Sequence, residues 1–356
     1  MRSAIFILFS FLYLQGSCQT IGGSSVFNFL RLPNTPQLTA LGGVNVSVSA
    51  NDVGLAFNNP ALLNKEMHTQ LIAVFNNFYA DVNALHLSFG YRHEKLKTNF
   101  AGGLNYFDYG KISETDPAGN VFGTLNPKDW VIQLSASRSY LEKWNYGATV
   151  KFISSNYGVY RSNGIALDIA ALFKDSANLI TASIVAKNMG YQLKKYSGTD
   201  AEELPFDLQI GITKKLEKAP LSFSLTAQRL HQFDIRYNDT VFNILNGLDK
   251  TGKFTFDKIF RHFVLAVQAF PVPQIEITAA YNHLRRQELN ISNSTNGLNG
   301  FSMGVGLLVK KIQVRYARTY YQNNKAYNQF GLNLKLNEYF GLGKFGEKIG
   351  WSGQTH

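Results

Sequence analysis

The sequence predicts an all-β fold: a 14-stranded antiparallel transmembrane β-barrel with a short N-terminal plug segment. Three features carry that expectation. Segments of about nine to eleven residues alternate apolar and polar side chains, connection lengths are sorted by parity, and the composition is aromatic-rich but weakly charged. Charged residues make up 17% of the 356 positions, against roughly 25% in ordinary globular chains. Phe (27) and Tyr (18) are abundant, yet mean hydropathy is only −0.12. No stretch beyond the first residues approaches the roughly 18 apolar residues of a membrane helix.

Residues 1–18 have the layout of an export signal. Arg2 is a short positive start, residues 4–14 are apolar, and Gly16-Ser17-Cys18 offers small residues before a cut at Gln19. Cys18 is the only cysteine. Lipidation there is the alternative to cleavage after it, but that route wants an aliphatic residue where Gln15 stands. Cleavage leaves a mature chain with no thiol, hence no disulfide framework and no cysteine–metal site.

Residues 19–66 form a lead-in or plug. The stretch "ALGGVNVSVSANDVGLAFNNPALL" (40–63) is too rich in Gly and Asn to make a convincing membrane strand. Gly42 and Gly43 permit positive φ or close backbone approach. Asn51-Asp52 reads as a turn or helix N-cap. Asn59-Pro60 imposes an extended residue before the proline, after which a short helical turn through Ala61 can follow.

Residues 67–336 carry the strands. In 144–152, Trp144, Tyr146, Ala148, Val150 and Phe152 alternate with Asn145, Gly147, Thr149 and Lys151; 206–213 and 221–228 repeat the pattern. Fourteen such segments fall near 68–76, 82–92, 99–109, 130–139, 144–154, 164–174, 179–188, 206–215, 221–229, 261–270, 274–283, 300–310, 312–320 and 327–336. Every second connection is short (93–98, 140–143, 174–178, 216–220, 271–273, Lys311), while the others include 110–129, 189–205, 230–260 and 284–299. Short periplasmic turns on one rim and long outer loops on the other are the asymmetry of bacterial outer-membrane barrels. The cause is that hydrocarbon offers backbone groups no partner, and a closed sheet pairs them all. Trp130 and Trp144, at strand starts, suit the outer and periplasmic aromatic girdles.

Fourteen strands enclose more space than an eight-stranded barrel can fill with side chains, which favours a plug over a simple lead-in for 19–66. Lys151, Asp168 and Lys187 sit at inward positions, since charge cannot face lipid cheaply; they should pair in the lumen, in structural roles. The loop 230–260 carries Phe233, Tyr237, Phe242, Phe254 and Phe256. Its length and aromatic content suit either docking a partner or folding over the mouth as a lid. The tail 337–356, with Tyr339, Phe340, Phe345 and Trp351, is an interfacial anchor, a periplasmic contact or a frayed end.

Signals for chemistry are weak. The histidines (68, 86, 93, 231, 262, 283, 356) make no HExxH or other metal spacing. His86 and His262 take inward positions, where either meets a lumen carboxylate or sits hydrated. No GxSxG elbow or P-loop occurs. Glu202-Glu203, and Asp108 with Asp116, read as loop charges ahead of an acid/base pair or cation site. No catalytic residue, metal or cofactor is expected. The net charge of +11 is spread along the chain, which fits an exported barrel beside anionic lipid head groups; no nucleic-acid partner is expected.

The paired glycines, aspartate and Asn-Pro-Ala of 40–63 resemble the N-terminal signature of FadL-like fourteen-stranded outer-membrane barrels. With the preceding "GGSSVFNFLRLPNTPQLTALGG" (22–43), the pattern resembles PorQ-like barrels of the type IX secretion system and, less closely, PorV-like ones. This implies a non-enzymatic outer-membrane platform in a cell-surface attachment complex. Its partners would be a PorZ-like surface protein, a PorU-like sortase, a PorV-like barrel and anionic lipopolysaccharide. The signature falls on Gly42, Gly43, Asp52, Asn59, Pro60 and Ala61 as plug-forming residues. One departure is "NTPQL" (34–38), where Gln37 replaces an expected arginine. The alternative function is a FadL-type importer of hydrophobic small molecules. The polar residues expected along the lumen favour the platform.

Overall fold

A computed structural model describes residues 25–77, 82–235, 255–289, 297–321 and 326–340. The signal segment, the aromatic residues Tyr237, Phe242 and Phe254, and the tail from 341 lie outside them.

The fourteen predicted segments appear as β1 (Gln70–Asn77), β2 (Asn83–His93), β3 (Thr98–Asp108), β6 (Lys128–Tyr140), β7 (Trp144–Tyr157), β8 (Tyr160–Asp175), β9 (Ile180–Lys194), β10 (Asp207–Lys215), β11 (Leu221–Ala227), β12 (Phe263–Val272), β13 (Ile275–Asn282), β14 (Phe301–Leu308), β15 (Ile312–Tyr320) and β16 (Ala326–Lys335). Each pairs antiparallel with its neighbours, and β1 closes on β16 from Gln70↔Lys335 to Asn77↔Asn328. Closure leaves no open edge along the barrel wall.

Two features depart from the expectation. The connection 110–129 holds a separate hairpin, β4 (Ile112–Thr115) with β5 (Val121–Leu125). Their few residues are too short for alternation to register. The outer ends of β8 and β9 run further than the pattern indicated. In β9 the two consecutive residues Lys187 and Asn188 are both buried, at a break in register between Leu167/Ile169 and their partners. This bulge flips the alternation, so periodicity stops while the strand continues.

The wall sorts its side chains as a membrane demands. Outward positions are apolar and exposed, with Leu134 69%, Ile169 51% and Leu265 55% accessible. Inward positions such as Gln133, Thr149, Gln209, Thr226, Gln329 and Asn333 are polar and buried. The hydrophobic core lies inside the barrel, between the N-terminal segment and the wall. Phe29, Leu30 and Phe57 pack on Phe107, Val131 and Ile153. Leu55, Ala61 and Leu62 pack on Ala170, Leu172 and Val185. Val53, Leu63 and Met67 pack on Ile72 and Val74. The wall is therefore not uniformly polar inside: apolar side chains meet the segment at these clusters, among polar ones.

Candidate functional site

The segment before β1 crosses the whole lumen. It starts at the long-loop end, where Ser25 bridges to Glu203 and the Val26 N–H donates to the Glu203 carbonyl at 3.0 Å. It ends at the turn end, where the Thr69 N–H donates to the Gly90 carbonyl at 2.8 Å. Between them run a short helix, Pro36–Ala40, and 3-10 turns Val53–Phe57 and Pro60–Leu62. Side chains cap each: Thr35 accepts from the Leu38 N–H, Asp52 from Gly54 and Asn59 from Ala61. The local polar residues thus satisfy backbone donors that no water would reach.

The six signature residues all sit in this segment, each held by the barrel or by a neighbouring turn. Gly42 and Gly43 take φ of 90° and 83°. The Gly42 carbonyl accepts from Arg285 Nη2 at 2.8 Å and Asn282 Nδ2 at 3.1 Å. Asp52 pairs with Arg315 at 3.0 Å, and the same guanidinium reaches Glu276 at 3.4 Å. Asn59 donates to the Val46 carbonyl at 2.7 Å and to Ser183 Oγ at 2.9 Å. Pro60 and Ala61 press on Gly147, where a Cβ would lie 2.6 Å from Pro60 backbone.

The three lumen charges form one group with the segment. Lys151 pairs with Asp168 at 2.5 Å, both fully buried, and donates to Asn188 Oδ1 at 2.9 Å. Lys187 donates to Asn58. The docking-loop aromatics are not brought together among the described residues. Phe233 is 57% exposed, its carbonyl against His262, while Phe256 is 73% exposed on the helix Phe256–Phe260.

Among the described residues, neither inward histidine meets a carboxylate. His86 contacts Asn34 Nδ2 at 3.0 Å and Ser88 Oγ at 3.1 Å, edge-on to Phe57. His262 faces the carbonyls of Gln228 and Phe233 at 2.7 and 3.2 Å. Asp116 caps its own turn through Ala118 and Asn120, and among the described residues no His/Cys/Asp/Glu group is placed to hold a metal.

Two chambers lie on opposite sides of the helix Pro36–Ala40. The outer, about 220 Å³, is walled by Leu30, Leu32, Leu38, Phe57, Leu284 and Leu289, with Arg31, Lys187, Arg229 and Arg285 facing Asp207 and Glu288. Burial, then the neighbouring Arg229, holds the Arg31 pKa down to about 10. The inner, about 560 Å³, opens at the turn end and is lined by Gln37 and Ser49 of the plug and by Glu276, Gln313 and Arg315 of the wall. Leu38 faces one chamber and Gln37 the other.

Sequence reasoning missed the arginines that pin the plug. Arg315 was legible, because alternation in β15 puts it opposite Val314 and Tyr316. Arg285 was not: it lies in an outer-loop helix, His283–Leu289, and stacks over Tyr321 at 4.4 Å.

No protein-family profile matches the chain, and no curated protein matches it. Solved structures do. The CymD monoaromatic hydrocarbon channel is 13% identical, with 87% of this chain and 97% of that one covered at a TM-score of 0.50. A TodX monoaromatic hydrocarbon channel mutant is 12% identical over 85% and 97%, at 0.48. A Pseudomonas aeruginosa FadL homologue is 12% identical over 84% and 97%, at 0.44. At such identity the likeness speaks to fold alone. With the closed, lipid-facing barrel described above, it shows that this chain folds as a fourteen-stranded barrel of the outer-membrane type, with the fold of the CymD channel.

Proposed function

We propose that the protein is a FadL-type outer-membrane channel for small hydrophobic molecules. The observation that carries this reading is the outer chamber, open towards the loops and floored by the plug. The chamber holds about 220 Å³, with an apolar patch of leucines and Phe57 beside six charged side chains. A leucine- and phenylalanine-lined cavity of about 150 Å³ is known to hold benzene, so one substituted aromatic ring fits here. A polar lumen argued against import, but five leucines and Phe57 line the chamber itself. The name of CymD as a monoaromatic hydrocarbon channel agrees in size class.

Calorimetric titration of the purified barrel with toluene tests it. Saturable binding is expected, weakened by at least about tenfold in Leu38→Trp, which fills the chamber. No binding in the parent at toluene saturation sinks the channel reading.

One observation favours a second reading, a platform for a surface partner such as the attachment complex of type IX secretion. The outer hairpins present apolar side chains: Phe122 is 66% and Val159 80% exposed, above the lipid-facing wall. Photo-crosslinking from position 159 in intact cells decides it: a defined surface-protein adduct supports the platform, and bare barrel rejects it.

A further inference from the structure

The inner chamber differs from the outer one in the lysines gathered at its mouth. Among the described residues its walls mix amides and hydroxyls with the aliphatic Val48, Leu179, Ile180, Leu308 and Val309, and cations outnumber carboxylates by five (Lys174, Lys215, Lys310, Arg315, Lys335) to two (Asp175, Glu276). The charges are arranged by depth. Inside, Arg315 is consumed by Asp52 and Glu276, and Gln268 donates to Glu276 at 2.9 Å. At the mouth, none of the four lysines makes an ion pair among the described residues.

A second, independent observation points to a ligand. Gln37 is 2% exposed and lines the chamber, yet neither its Oε1 nor its Nε2 has a partner among the described residues. Ser222 Oγ and Arg315 Nε, also in the lining, are likewise unpartnered and buried. Buried polar atoms are normally satisfied. Here unpaired donors of three kinds belong to residues that line one chamber whose entrance is ringed by lysines.

We infer that the inner chamber is an oxyanion-binding site facing the periplasm, taking a phosphate or carboxylate group attached to a small polar body. The mouth lysines attract the anion and Gln37, Ser222 and Arg315 Nε supply hydrogen bonds at the floor. The inference stands independently of what occupies the outer chamber.

The experiment titrates the full-length barrel, in nonionic detergent, with inorganic phosphate, citrate and uncharged sorbitol, followed by calorimetry. Saturable binding of at least one anion and none of sorbitol is expected. Lys215→Ala with Lys335→Ala should weaken it by about tenfold or more. Lys95→Ala with Lys97→Ala, which removes equal charge from a turn outside the chamber, should leave it unchanged. Gln37→Leu should weaken it without altering folded migration. In nanodiscs, competition by phosphatidylglycerol but not phosphatidylcholine would make the natural source a lipid head group; absence of competition would make it a soluble anion. No anion binding, equal loss in the two lysine pairs, or parental affinity in Gln37→Leu overturns the inference.

Discussion

At the scale of single residues, the lumen is governed by the rule that a buried charge needs a partner. Lys151 and Asp168 are 1% and 0% exposed, 2.5 Å apart, and tied further to Asn188 at the β9 bulge. Such a pair gains little over apolar replacement, but breaking it strands a charge and costs about 3–5 kcal/mol. Lys151→Met should therefore lower the temperature at which the barrel loses its compact migration in detergent gels far more than the double variant with Asp168→Leu. A single variant no worse than the double would mean water reaches the site. Charge at these inward positions was legible, because alternation alone puts Lys151, Asp168 and Lys187 on the face away from lipid. Their partners were not, since Asn58 is 129 residues from Lys187 in sequence and no local pattern encodes that approach.

At the scale of elements, the plug and the wall are shaped to each other through glycine. A Cβ at Gly304 would lie 2.5 Å from Ala40 Cβ, so the strand makes room where the helix Pro36–Ala40 presses on it. The helix ends in Gly42-Gly43, both at positive φ, and a Cβ on Gly42 would lie 2.4 Å from Val264 Cγ1. Gly42→Ala combines left-handed strain of about 1–3 kcal/mol with that overlap. It should loosen the plug before it harms the barrel, so that protease cleavage near residue 40 appears while the folded barrel persists. Resistance equal to the parent would mean the turn relaxes freely. The paired glycines advertised a special turn in the sequence. The fourteen strands were legible for a stronger reason, because lipid and lumen impose one period on every crossing. The hairpin β4–β5 and the outer end of β9 obey neither environment and left no such signal. The same logic explains His86: its inward position was correct, but the plug brought Asn34 and Phe57 to it where open lumen would have brought water or a carboxylate.

At the scale of the molecule, closure and occlusion are separate achievements. Backbone pairing around the closed barrel holds it shut without help from the plug, whereas the plug depends on the wall for Arg315, Lys187 and four apolar contact clusters and on the outer-loop helix for Arg285. Removing residues 25–66 exposes polar wall positions that water can solvate, together with apolar ones such as Val131 and Ile153 that lose their cover. The barrel should still insert and run as a folded band, less heat-stable than the parent, because its hydrogen-bonded ladder and lipid face are intact. Its lumen, though, should change from closed to ion-conducting, since the helix Pro36–Ala40 is what stands between the outer chamber and the inner one. Planar-bilayer recording decides the matter. A silent parent and a steadily conducting deletion would make the plug the seal between two chambers. A silent deletion would mean that the outer loops or the collapsed wall close the pore, and the division of the lumen into an outer and an inner compartment would have to be assigned to them.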